Sequence, residues 1–190
     1  MLIKRILTAI KHPGSILRPN TWCNDAFIKY IKKHGGTVGE GTRFISPDKC
    51  HIDINRADYI RIGKNCCLSV VSILAHDYSW YTLLESNKEI LPDAGGEVII
   101  GDNCFIGYQS LILKNTVIGD NVIIGARSVV KGYVPSNTVW AGVPAKQICT
   151  LGQFVEKRKS KKIEEAIYRR NHIIKTYGRR PSIEEMGWFG

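Results

Sequence analysis

The chain has 190 residues, of which 44% are hydrophobic and 23% charged, with a formal net charge of +10 at pH 7. That length suits one substantial domain rather than two, and the composition is that of an ordinary folded domain. No uninterrupted apolar run approaches the roughly 20 residues of a membrane span, which argues against a spanning helix.

Met1–Lys11 places its charges inside an apolar stretch and reads as a short basic amphipathic helix, ended by Pro13-Gly14. No small-residue cleavage site follows it, so no signal peptide is read and a cytoplasmic location is expected. Two roles stand for this helix: peripheral contact with the inner face of a membrane, or packing on the body of the protein. Asn24–His34 is a second predicted helix, stopped by Gly35-Gly36. Of the six cysteines, only Cys66 and Cys67 are close in sequence, and no spacing suits a zinc site. Reduced thiols and no metal are therefore expected.

A repeat begins near Val38. Val38-Gly39 with Thr42 and Phe44 forms a first copy, and Ile60 to Cys66 a second, which Leu68 and Leu74 continue at six-residue steps. From Val98 to Lys131 the pattern is unbroken. One aliphatic residue recurs every six positions (Ile100, Ile106, Ile112, Ile118, Ile124, Val130), with a compact residue two places before each. Glycine follows four of the six aliphatics, at Gly101, Gly107, Gly119 and Gly125. A period of six is neither 3.6 nor simply 2, so it describes neither an amphipathic helix nor a plain half-buried strand. It fits a triangular coil in which each hexad forms a short strand and a corner, about eighteen residues per turn. The aliphatic and compact side chains point inward, glycine accommodates the corner backbone, and Asp102-Asn103 and Asp120-Asn121 supply residues that accept left-handed conformations. The two blocks are out of phase, because 38 residues separate Ile62 from Ile100. The segment 75–97 is therefore predicted to be a loop extruded from the coil. Phe154–Tyr177 is charged and helix-compatible, and Ser182-Ile-Glu-Glu185 reads as a capping box for a last short turn. The predicted organisation is an N-terminal helical segment (1–37), a β-helix (38–150) and a C-terminal helical tail (151–190), with terminal helices covering the open ends of the coil.

With Gly142-Val143-Pro144-Ala145-Lys146 directly after the last hexad, the chain resembles the hexapeptide-repeat acyltransferases. In appearance it is closest to sugar and polysaccharide O-acetyltransferases of the maltose and galactoside acetyltransferase type. The resemblance implies a mainly β fold, a left-handed parallel β-helix, and direct transfer from acetyl-CoA without a covalent enzyme intermediate. It implies that His76, at the junction of coil and loop, is the general base. An imidazole titrating near neutrality suits removal of a hydroxyl proton. Asp77 is a candidate to orient that ring. Asn55 is carried over as a catalytic acceptor-site residue, and Asp77, Tyr78, Trp80 and Phe105 as the acceptor side. Gly107, Tyr108, Gly125 and Ala126 line the expected pantetheine groove, with Lys131 and Lys146 as its basic coenzyme contacts. Tyr108 departs from the small residue usual there. Corner packing remains open for Phe105, and loop packing for the tyrosines and tryptophan. Since the groove lies between subunits, a homotrimer with interfacial active sites is implied.

The acceptor implied is a carbohydrate hydroxyl, such as that of a surface polysaccharide precursor; an amino sugar or xenobiotic amine is the alternative. The basic charge, densest from Glu156 to Lys162, fits either a solvated surface or a polyanionic partner such as coenzyme A or anionic lipid. No nucleic-acid motif accompanies it, so nucleic acid is not an expected partner. Two other classes share the repeat. A zinc protein of the γ-type carbonic anhydrase kind would need three histidines, whereas His51 is the only other histidine on the coil. A non-catalytic scaffold is the other.

Overall fold

The computed structural model describes residues 23–87 and 95–182. The predicted helix at Met1–Lys11 lies outside these residues, and the Ser182–Glu185 turn runs beyond them. The first described element is helix α1 (Asn24–Lys33), followed by short strands β1 (Thr37–Val38), β2 (Arg43–Ile45), β3 (His51–Ile52), β4 (Ile60–Ile62), β5 (Cys67–Ser69) and β6 (Ser72–Ile73). Helix α2 (Trp80–Asn87) then leaves the coil. The coil resumes with β7 (Val98–Ile100), β8 (Phe105–Ile106), β9 (Leu111–Ile118), β10 (Ile123–Ile124), β11 (Val129–Val134), β12 (Thr138–Gly142) and β13 (Ala145–Thr150). The last described helix, α3, spans Leu151–Tyr177.

Parallel pairing winds the strands into the three faces of a left-handed β-helix. The first face stacks β1, β4, β7 and the second halves of β9 and β11. The second stacks β2, β5, β8, β10 and β12. The third stacks β3, β6 and the first halves of β9 and β11. Register aligns Val38, Ile62, Ile100, Ile118 and Val134 as one inward column. Phe44, Leu68, Ile106 and Ile124 form a second, and Ile52, Ile73, Ile112 and Val130 a third. All thirteen are buried. Burying one such side chain contributes about 1.5–3 kcal/mol, so the columns, rather than the two- and three-residue strands, supply the stability. Helix α1 closes the first turn, with Phe27 edge-on to Phe44 at 5.0 Å and Asn24 Oδ1 accepting the Phe44 N–H at 2.7 Å.

The compact residues preceding each aliphatic are buried as expected, and several are polar. The Ser110 and Ser128 hydroxyls donate to the Gly125 carbonyl at 2.9 and 2.7 Å, and the Cys104 thiol to the Gly119 carbonyl at 3.1 Å. Corner carbonyls that no strand can pair are thereby satisfied. Asn65, Asn103, Asn121 and Asn137 all hold φ between 54° and 61°. Their side chains stack, Asn103 on Asn121 at 3.2 Å and Asn121 on Asn137 at 3.1 Å.

Three expectations change. Gly101 does not adopt a positive φ. It is small because the next turn lies against it: a methyl group there would sit 2.8 Å from the Gly119 carbonyl oxygen. Gly101→Ala is thus expected to destabilise by about 1–3 kcal/mol through overpacking, checked by urea denaturation. Second, the hexad does not continue through Leu74. Leu68 aligns with Ile106 and Ile73 with Ile112, so this corner spans five residues where the next turn uses six. Ile73 is the inward residue, and Leu74 turns outward. Third, the extruded segment is not loop throughout, since it carries α2.

Compact contact regions divide the chain after Leu151. In the second, α3 is a 27-residue helix with exposed Val155, Ile167, Tyr168 and Tyr177. Among the described residues no helix is long and apolar enough to cross a membrane.

Candidate active site

The shortened corner after Leu68 decides which side chains leave the coil. With Ile73 and Ala75 buried, alternation along the extended chain sends Leu74 and His76 outward. Asp53 follows β3 one turn earlier, where its backbone N–H donates to the Ile73 carbonyl at 3.0 Å. Its carboxylate Oδ2 accepts the Ala75 N–H at 3.1 Å and also meets His76 Nδ1. The Asp53 side chain is only 4% exposed, against 24% for the imidazole. A buried carboxylate therefore sits behind a ring whose other edge faces the solvent side. With Nδ1–H donated to Asp53, Nε2 is left as the free acceptor.

His76 and Tyr78 pack ring against ring at 4.4 Å on one wall of a cavity of about 370 Å³. Leu74 and Leu113 supply its apolar surface, and Asp77, Lys114 and Lys131 its charge. Asp77 does not orient the ring. Its Oδ1 accepts the Ser79 N–H at 2.9 Å, and its Oδ2 lies 3.8 Å from Lys114 Nζ. That is the physical outcome of adjacency, since successive residues of an extended chain point apart.

Asn55 is displaced as well. The chain turns into a 3₁₀ segment, Ile54–Tyr59, directly after Asp53, which leaves Asn55 exposed and away from the cavity. The residue that reaches His76 from the previous turn is Asp53, which the sequence reading did not select. Trp80 begins α2, lies edge-on to Tyr81 at 6.0 Å, and is not on the cavity wall. Phe105 projects from the second face, 43% exposed.

Gly107, Tyr108, Gly125 and Ala126 gather at the corner between the second and third faces, one turn above another. The Arg127 N–H donates to the Tyr108 carbonyl at 2.8 Å, and a methyl on Gly107 would meet Ala126 N at 2.5 Å. The Gly142–Ala145 segment is the turn of an antiparallel hairpin between β12 and β13, with Lys146 exposed opposite Ala141. His76 stands at a different corner, between the third and first faces. Among the described residues no three His, Cys, Asp or Glu side chains gather as metal ligands would. Burial pushes the Cys50 and Cys67 thiols up, away from nucleophilic thiolate.

The family described as bacterial transferase hexapeptide (six repeats) matches residues 97–132. Protein CapG of Staphylococcus aureus is 36% identical over 139 residues, covering 73% of this chain and 77% of CapG. WbbJ of Escherichia coli K12, named for O-acetyl transfer in lipopolysaccharide biosynthesis, is 34% identical over 120 residues. That match takes in 58% of this chain and 61% of WbbJ, so the chain spans less than two thirds of that relative. Among solved structures, a hexapeptide-repeat-containing acetyltransferase of Vibrio cholerae shares the fold, with a TM-score of 0.51 at 19% identity, covering 64% of this chain and 77% of that one. The repeat, its closure by the β12–β13 hairpin and the extent of the CapG match agree: the chain belongs to the hexapeptide-repeat acyltransferases.

Proposed function

We propose that the protein transfers an acetyl group from acetyl-CoA to a hydroxyl of a carbohydrate, with His76 as general base and Asp53 as the residue that positions it. The observation that carries this reading is the Asp53–His76 pair at the wall of a cavity beside the coil. The acceptor O–H gives its proton to Nε2 as its oxygen bonds to the thioester carbon. As the C–S bond breaks, the imidazolium returns the proton to the departing sulfur. The buried carboxylate stabilises the transient positive ring. The carbohydrate acceptor is supported by the name of the WbbJ relative and by the Tyr78 ring at the cavity, which suits a sugar face.

The corner bearing Gly107, Tyr108, Gly125 and Ala126 is read as the pantetheine groove, and Lys146 as a contact of its nucleotide end. These residues and His76 occupy different corners of one prism. A threefold assembly, in which a neighbour's corner approaches His76, would unite them. The experiment is thiol release from acetyl-CoA with a panel of sugars, comparing the wild type with His76→Gln. Sugar-dependent release that the variant retains in full would refute the assigned base. Sedimentation should give a trimer, and Tyr108→Arg, which adds bulk and charge at the groove, should raise the KM for acetyl-CoA about tenfold with little change in melting temperature.

A further inference from the structure

Among the described residues the His76 cavity is lined by two lysines and one aspartate, and the strand register explains how. Ile112 pairs with Val130 and Thr116 with Gly132, so Leu113, Lys114 and Asn115 on β9 face the single residue Lys131 on β11. The longer segment bows outward at this corner, where Asn115 takes a φ of 60° and Gly132 one of 86°. Lys114 and Lys131 are thereby brought to one cavity wall, alongside Leu113. Among the described residues on that lining Asp77 is the one carboxylate, and its Oδ2 lies 3.8 Å from Lys114 Nζ. Asp53 is spent behind the imidazole. Among the described residues, Lys131 has no carboxylate within ion-pair distance.

We propose that the acceptor carries an anionic group, a carboxylate or a phosphate, which Lys131 engages while a neighbouring hydroxyl meets His76. The inference rests on the acetyl-transfer reading above and narrows its acceptor. A cavity of about 370 Å³ lies at the small end of ligand sites, roughly 300–1,000 Å³. It admits a sugar-sized group and the reacting end of a thioester. The phosphates of acetyl-CoA are held off from that end by the whole pantetheine arm, so they do not share this space. Lys131 thus moves from the coenzyme side to the acceptor side. Leu74 and Leu113 reduce the water around the ammonium groups, which strengthens their attraction for an anion.

The test uses the full chain and three probes: methyl glucoside, methyl glucuronide and glucose 1-phosphate, titrated by saturation-transfer NMR. At least one anionic probe is expected to bind about tenfold more tightly than the neutral glucoside, as a charge-assisted hydrogen bond allows. The better of the two anions identifies the group. Lys131→Met should abolish the preference, Lys131→Glu should invert it, and added salt should shrink it. No preference in the wild type, or a preference that survives in Lys131→Met, would overturn the proposal. So would a tenfold loss of acetyl-CoA affinity in Lys131→Met with the acceptor preference unchanged, which would assign the lysine to the donor phosphates. Selective anion binding without any thiol release would instead refute acetyl transfer and leave the anion site standing. Thiol release with neutral sugars and no charge preference would do the reverse.

Discussion

His76→Gln is expected to lower kcat for acetyl transfer about 10³-fold, within the 10²–10⁴ that general-base catalysis typically supplies, and to leave the KM for acetyl-CoA nearly unchanged. Glutamine keeps much of the side chain's reach and can still donate to Asp53 from its amide. What it lacks is a group that accepts a proton and later returns it. Since His76 is about a quarter exposed and belongs to none of the inward columns, its replacement should move the melting temperature by little. The measurement is steady-state thiol release alongside thermal unfolding. A kcat within a factor of three of wild type would remove His76 from the chemistry.

Asp53 supports two variants with separable outcomes, because one oxygen, Oδ2, serves both Ala75 N–H and His76 Nδ1. In Asp53→Asn the amide oxygen can occupy that position and keep both hydrogen bonds while the negative charge is lost. The expected drop in kcat is about ten- to thirtyfold, the difference between a charge-assisted and a neutral hydrogen bond. Asp53→Ala removes the acceptor altogether. It frees the ring to rotate and leaves the buried Ala75 N–H unpaired, at a cost of about 1–3 kcal/mol in stability. Its kcat should fall at least tenfold below that of Asp53→Asn. A purely structural Asp53 would predict the opposite split, with stability lost in the alanine variant and kcat of the folded asparagine variant intact.

The hexad columns were legible because each inward residue meets its equivalents from the turns above and below, and that stacking writes a period of six into Ile100, Ile106, Ile112, Ile118 and Ile124. The helices Asn24–Lys33 and Leu151–Tyr177 were also readable, within a few residues, from local pattern alone. His76 stood out by its place where the period stops. The slip at Leu74 was not legible. Leu74 and Ile73 are both aliphatic, and only pairing of Ile73 with Ile112 distinguishes the inward residue from the outward one. Helix α2 was missed because Trp80–Asn87 has little amphipathic pattern to mark it.

Local chemistry in the chain thus accounts for the coil, its asparagine corners and the histidine at its break, since each follows from neighbours within one or two hexads. The partner of that histidine was decided elsewhere. Asp53 lies 23 residues before His76, and nothing local marks it; parallel pairing of β3 with β6 carries it beneath the ring. In the sequence Lys114 reads only as one of 27 basic residues, and Lys131 as a coenzyme contact. The bulge between β9 and β11 brings them to the wall that His76 shares, because three residues there must span the distance that one spans on the neighbouring strand.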